Sequence, residues 1–487
     1  MKKMLLILLS LALLLSVSRS QVNSTANAPE ISPSPGATNT IVNPVPSGEE
    51  APVPQFQNGD RICFIGDSIT QGGTYYAQIL LYYATRFPDR KIVGYNCGIN
   101  GDSAGGVLIL KRPEWDILPH QPTVATIMLG MNDVGINYYG KNLTGPQIEN
   151  TRKWPLLGFP KNMEKISDIL TAAHCRIIYL TPSIYDQTGN QARPSHFGAN
   201  DALGILADDD RKLAAQFHGG LVDFHTPMTR INAEQQAKDP SFTLIGPDRI
   251  HPGAEGNLVM AYEFLKAQQV PSIVSNTAID AATASIVKQD NCQITDLKSE
   301  NGAITFTSKE NALPFPLAPE ELKKLEPLVP WTEDLNQELL TVANLPAGNY
   351  ELSIDGQVAQ ECTADELKNG INLATNANTP QAKQAANVAA LVWQRRGLDG
   401  SLRIIASVHS ILYKANISFD DEVASRKLLQ DTIDNYKKNG KTAPHIEIYL
   451  KYTPEQRKQF VADAAALTDK IYVENQPQPH TFAIRPK

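Results

Sequence analysis

At 487 residues the chain exceeds one ordinary domain, and its length implies a core domain of roughly 200 residues plus substantial further structure. A hydrophobic share of 42% and a charged share of 20% are those of a globular protein, not of a disordered or fibrous one. The formal charge of -7, with no basic cluster, excludes nucleic acid as a partner.

In chain order, Met1-Lys2-Lys3 leads into an apolar run from Met4 to Leu15 and the small residues Ser18 and Ser20, the layout of a secretory signal peptide over residues 1–20. That run is too short to span a bilayer comfortably, so the expectation is a secreted or periplasmic protein with no stable membrane insertion after signal removal. The first cysteine, Cys63, lies far downstream, which argues against a lipid-anchored N-terminus. Residues 21–55 are rich in Pro, Ser, Asn and Thr and poor in large apolar side chains, and read as a disordered linker.

The pattern then changes. Arg61–Ile65, Lys91–Tyr95, Thr123–Leu129, Arg176–Leu180 and Gly220–Phe224 are short apolar runs with β-branched residues, and Tyr75–Phe87, Lys161–Ala173 and Ala202–Gln216 between them have helical patterning. Strands alternating with helices predict an α/β domain over residues 56–275, doubly wound on a five-stranded parallel sheet. Beyond it, residues 276–487 read as a C-terminal α+β extension. Asn301-Gly302 and Asp355-Gly356 are hairpin turn signals in β-rich stretches, and helices are expected over Gln381–Arg396, Asp421–Lys438 and Pro454–Thr468. Five cysteines thinly spread are no disulfide framework; Cys63, Cys97 and Cys175 sit in or beside buried runs, and Cys292 with Cys362 is the one pairing left open.

Four short segments carry chemistry: Gly66-Asp67-Ser68-Ile69-Thr70, Asn100-Gly101-Asp102-Ser103, Gly130-Met131-Asn132-Asp133 and Asp248-Arg249-Ile250-His251-Pro252. Ser68 follows the first strand, where a doubly wound sheet places its ligands, and Gly101 and Asn132 follow the second and third. Asp248 and His251, three apart, can share one face of a helical turn, so the carboxylate can hold the imidazole while its other nitrogen points at Ser68. Gly101 lets an oxygen approach its backbone N–H, and the Asn132 amide is a donor that needs no protonation state. Taken singly, each segment also fits a plainer reading: a turn, or a capping hydroxyl or carboxylate at a helix start. Asp67, Asp102 and Asp133 are expected to brace loops. The remaining histidines show no metal-ligand spacing, and neither a metal nor another cofactor is expected.

Over about Gly59–Ala267 the four segments together resemble the SGNH (GDSL-type) hydrolase family, whose blocks contribute Ser, Gly, Asn and His, here Ser68, Gly101, Asn132 and His251. The resemblance implies a flavodoxin-like fold and a serine esterase with a Ser68–His251–Asp248 triad and an oxyanion hole formed by Ser68, Gly101 and Asn132. Asp248–Ala261 is similar to secreted bacterial members that deacetylate polysaccharides or glycans, with Asn257 where many relatives have His. Tyr138, Tyr139 and Trp154 near the third block fit either a sugar-facing site or core packing. The expected substrate is an O-acetyl group on a polysaccharide or glycan. The alternatives are a broad short-chain esterase, lipase or thioesterase acting on other esters, and a glycan-binding protein with incidental esterase activity.

Overall fold

In the computed structural model, which describes residues 53–487, the five apolar runs become β1 (Arg61–Gly66), β2 (Val93–Gly98), β3 (Val124–Met128), β4 (Arg176–Leu180) and β5 (Gly220–Val222). They form one parallel sheet in the order β2-β1-β3-β4-β5. The expected signal peptide and nearly all of the linker lie outside the described residues. The intervening helices are α1 (Ser68–Gly72), α2 (Thr74–Arg86), α3 (Ala104–Ile109), α4 (Pro146–Ala172), α5 (Ala199–Gln216), α6 (His225–Gln236) and α7 (Ala254–Ala267). The step from β1 to β2 runs opposite to the steps from β3 to β5. Right-handed crossovers therefore put α2 on one face and α4 and α5 on the other. The reversal point between β1 and β3 is where such a sheet opens a crevice at its carboxyl edge.

The extension comprises β6 (Ile273–Asp280), β7 (Ser285–Asp290), β8 (Cys292–Glu300), β9 (Ala303–Glu310), α8 (Pro319–Leu325), α9 (Trp331–Leu335), β10 (Gln337–Ala343), β11 (Asn349–Ile354), β12 (Gln357–Thr363), α10 (Ala364–Asn369), β13 (Ile371–Asn372), α11 (Pro380–Lys414), α12 (Glu422–Lys438), α13 (Pro444–Lys451), α14 (Pro454–Glu474) and β14 (Pro479–Pro486). Two sheets, β13-β10-β6-β7 and β12-β11-β14-β9-β8, share a core in which Ile279 and Leu340 meet Phe306, Leu352 and Phe482. Both hairpin signals hold: Asn301-Gly302 and Asp355-Gly356 have positive φ at both residues, as a tight two-residue turn requires.

The sheet core of the α/β unit continues into the extension, taking in Leu313, Phe315, Trp331, Val388, Val392 and Ile471. Hydrogen bonds stitch the seam at the end of α2, where Leu313 N–H donates to Thr85 O at 2.8 Å and Asn475 Nδ2 to Ala84 O at 2.8 Å. The far half of α11 packs with α12 and α13 around a separate small core that includes Val408, Leu412 and Ile433.

Three expectations need correction. The helix expected over Gln381–Arg396 runs on to Lys414 through Gly397 and Gly400, because hydrogen bonds to the α/β unit pin it on both sides of those glycines. The helix expected from Lys161 starts at Pro146 and contains Pro155 and Pro160, which read as breakers in sequence. Cys292 and Cys362 are free thiols on opposite edge strands of the five-stranded sheet, so they do not pair. Among the described residues no helix is long and apolar enough to cross a membrane.

Candidate active site

The start of α1 is forced against the strand ends by two glycines. A Cβ at Gly66 would lie 2.2 Å from Thr70 Oγ1, and one at Gly98 would lie 2.2 Å from Gln71 N, so neither position accepts a side chain. Asp67 caps α1 by accepting from Ile69 N–H at 2.9 Å, and burial pushes its carboxyl up to about 6. Ser68 is the first residue of this short helix and is half-buried.

His251 reaches Ser68 from a tight turn between α6 and α7. Gly253 N–H donates to Leu244 O at 2.9 Å and Gly246 N–H to His251 O at 2.7 Å, closing the turn at both levels. Asp248 Oδ1 accepts from Ile250 N–H at 2.9 Å and His251 N–H at 3.0 Å. Its Oδ2 lies 2.5 Å from His251 Nδ1, and His251 Nε2 lies 2.7 Å from Ser68 Oγ. An ionised carboxylate only accepts, so Nδ1 carries the proton and Nε2 is free to accept from the Ser68 hydroxyl. Burial pushes the Asp248 carboxyl up, but the backbone and imidazole of His251 and the N–H of Ile250 outweigh it and hold the group below the usual range. The Asp248–His251 contact is made by this turn and not by a helical turn, the geometry expected from the spacing.

Arg249, which follows Asp248 in this turn, escaped the sequence reading. It is buried, adopts a left-handed φ of 69°, and donates to Arg193 O at 2.7 Å, Asp186 O at 2.8 Å, Gly189 O at 3.1 Å and Gln191 O at 3.2 Å. The only available signal was an arginine enclosed by Gly-Pro and Pro-Gly, where a guanidinium would have many carbonyls to satisfy. Asn257 braces the same turn, donating from Nδ2 to Pro252 O at 2.9 Å and Gly253 O at 2.8 Å.

Gly101 and Asn132 lie in the loops that follow β2 and β3, and the Asn132 amide joins the two loops. Gly101 has φ 76°, and the space where a Cβ would stand is open. Among the described residues neither the Ser68 nor the Gly101 N–H has a hydrogen-bond partner. Asn132 Nδ2 donates to Asp102 O at 2.8 Å and lies 3.4 Å from Asp67 Oδ2, a long contact that an incoming oxygen can replace. Asp133 ties the two loops together by accepting from Ala104 N–H at 3.0 Å and Gly130 N–H at 3.0 Å, and burial pushes its carboxyl up to about 7. Hydrogen bonds thus join Asp248, His251 and Ser68 in one relay and hold Asn132 beside Asp67 and Asp102, the chain neighbours of Ser68 and Gly101. Tyr139 is buried, whereas Tyr138 and Trp154 are exposed, Trp154 by 72%. Among the described residues no group of three or more His, Cys, Asp or Glu side chains comes together as a metal site.

Comparison with known proteins adds to this geometry. Residues 64–259 match the family model described as the GDSL-like Lipase/Acylhydrolase family. No curated protein sequence matches the chain. Among solved structures, the chain is similar to BT4096, a gut microbial diltiazem-metabolizing enzyme, with 32% identity and a TM-score of 0.82, covering 89% of this chain and 99% of that one. That likeness extends well beyond residues 64–259 into the extension. A weaker likeness, to the acetylxylan esterase Axe2 from Geobacillus stearothermophilus, has 23% identity and a TM-score of 0.34, covers 44% of this chain and 96% of that one, and carries no argument about substrate. The chain belongs to the GDSL/SGNH-type hydrolases and is an ester-hydrolysing enzyme.

Proposed function

We propose that the enzyme hydrolyses short-chain esters of small, non-carbohydrate molecules, with Ser68 as nucleophile. The observation that carries the mechanism is the unbroken relay from Ser68 Oγ through His251 to Asp248, at 2.7 and 2.5 Å. Ser68 Oγ attacks the ester carbonyl while His251 Nε2 takes its proton, and Asp248 steadies the imidazolium that forms. The oxyanion is met by the N–H groups of Ser68 and Gly101 and by the Asn132 amide. His251 then protonates the leaving alcohol, and water repeats the cycle on the acyl-enzyme.

Two observations support a small-ester substrate. The His251 and Asp248 side chains are 45% and 35% exposed, so the reacting groups are open to a small molecule from solvent. BT4096, similar over 89% of the chain, is a diltiazem-metabolizing enzyme, and diltiazem is a non-carbohydrate ester. The second reading is O-acetyl esters of carbohydrates. A cavity of about 670 Å³ is lined by Lys141, Asn142, Gln187, Asn190, Ser195 and the ring of Phe197, and the segment that Arg249 holds forms part of its wall. Amides, hydroxyls and one aromatic face suit a polyhydroxylated alcohol. The N-terminal sequence supports action outside the cytoplasm. Rates on 4-nitrophenyl esters of increasing chain length, diltiazem and acetylated oligosaccharides decide between the readings. Turnover of diltiazem and of short 4-nitrophenyl esters above the sugar acetates is expected, and the reverse order overturns the choice of substrate.

A further inference from the structure

α11 presents a charged face to the α/β unit. Arg395, Asp399 and Arg403 recur every four residues, so they share one side of the helix, and all three are buried. Tyr76 Oη donates to Asp399 Oδ2 at 2.9 Å, and Arg395 donates to Gly94 O at 3.1 Å. Beside them, Arg396 donates to Gly72 O, the last residue of the helix that Ser68 begins. These contacts reach both the nucleophile helix and the second strand.

Arg403 reaches furthest. It donates to Asn96 O on β2 and pairs with Asp116 Oδ1 at 2.7 Å. Asp116 Oδ2 accepts from Arg112 at 3.0 and 3.2 Å. Arg112, fully buried, also pairs with Asp102 and donates to Cys97 O. Asp102 follows Gly101 directly, and its carbonyl takes the Asn132 amide at 2.8 Å. A continuous chain of contacts therefore runs from the extension to both outer donors of the oxyanion site. Burial would push Asp116 up, but Arg403 and Arg112 outweigh it and hold its carboxyl below the usual range, whereas at Asp102 burial wins and the carboxyl sits above it. A buried ion network of this kind is weak as a source of stability, since apolar side chains of similar volume do as well. What it supplies is directional: planar forks that fix two loops relative to each other.

We propose that Arg403 is a positioning residue for the oxyanion site, holding the Gly98–Asp102 loop through Asp116 and Arg112, so that the C-terminal region completes the active site. This rests on the esterase reading above. The test compares wild type, Arg403→Gln, Arg403→Lys and Asn132→Ala on 4-nitrophenyl acetate, with competent sites counted by fluorophosphonate titration so that loss of folded protein does not enter kcat. Arg403→Gln is expected to lower kcat per site about 10- to 100-fold with KM within about threefold, and Arg403→Lys to recover part of it. In the Arg403→Gln background, Asn132→Ala is expected to cost less than about tenfold, against about 10²- to 10³-fold in wild type. Asp116→Asn/Arg403→Gln leaves no unpaired buried ion and is read in the same way if the single variant does not accumulate. A kcat per site within about threefold of wild type in either variant, or fully multiplicative losses with Asn132→Ala, overturns the proposal alone. A wild type inactive on every ester overturns the esterase reading and this proposal with it.

Discussion

Arg249 and Asp186 hold each other twice: Asp186 N–H donates to Arg249 O at 3.0 Å, and the Arg249 guanidinium donates to Asp186 O at 2.8 Å. Asp186 lies in the segment between β4 and α5, and Arg249 follows Asp248 directly in the His251 turn. The pair thus joins the His251 turn to the segment between β4 and α5, residues 187–190 of which line the cavity beside Phe197. Arg249→Ala is expected to lower kcat about 10- to 100-fold by loosening His251, as small misplacements of a reacting group do. Arg249→Gly is expected to be about 1 kcal/mol more stable than Arg249→Ala, because only glycine takes the left-handed backbone freely, yet to be no more active. Urea unfolding and kcat on both variants check this; equal stabilities or full activity would count against the clamp.

Asn132→Ala removes a neutral donor at the crevice without touching the relay. The expected loss is about 10²- to 10³-fold in kcat with KM little changed. A loss confined to KM would mean that the amide binds substrate without favouring the transition state.

Glu310 gives a pH prediction. It is buried at the seam between the α/β unit and the extension, accepts from Ser275 Oγ at 2.9 Å, and is pushed up to about 7 by burial. A carboxyl raised in the folded state binds more protons there than in the unfolded chain. Its contribution is fully present below the unfolded value of about 4.3 and is lost as pH rises through about 7. Glu310→Gln mimics the protonated acid, so it is expected to be nearly neutral at pH 4 and stabilising at pH 8, on the order of 1–3 kcal/mol. Urea unfolding at the two pH values tests the sign, and a variant equally offset at both would contradict it.

The last strand sits in the middle of its sheet. β14 pairs with β11 on one side and β9 on the other, and buries Phe482 and Ile484. Deleting residues 479–487 therefore opens the sheet centrally. Insoluble expression, or soluble protein that binds a hydrophobic dye and unfolds at lower temperature, is expected. Unchanged thermal unfolding would show that β14 is dispensable.

What the sequence disclosed follows from the range of the forces involved. Strand and helix alternation is local, so the parallel sheet could be read from β-branched runs at Arg61–Ile65 and Thr123–Leu129, and the hairpins from Asn301-Gly302 and Asp355-Gly356. Ser68, Gly101 and Asn132 were legible because they follow consecutive strands, and Asp248 with His251 because their spacing of three lets them meet within one turn. Arg249 was not, because its φ and its four carbonyl partners exist only once the 186–193 segment folds over it. The full span of α11 was hidden too: Gly397 and Gly400 weaken a helix in isolation, and the bonds that hold it come from residues about 300 positions away. β14 was missed for the same reason, since its partners lie far upstream.

The most direct measurement is fluorophosphonate labelling of wild type and Ser68→Ala, read by intact mass and peptide mapping, beside hydrolysis of 4-nitrophenyl acetate. One adduct on Ser68 in wild type, with neither adduct nor turnover in Ser68→Ala, is the expected result. Labelling at another residue, or near-native turnover in Ser68→Ala, would contradict Ser68 as the nucleophile.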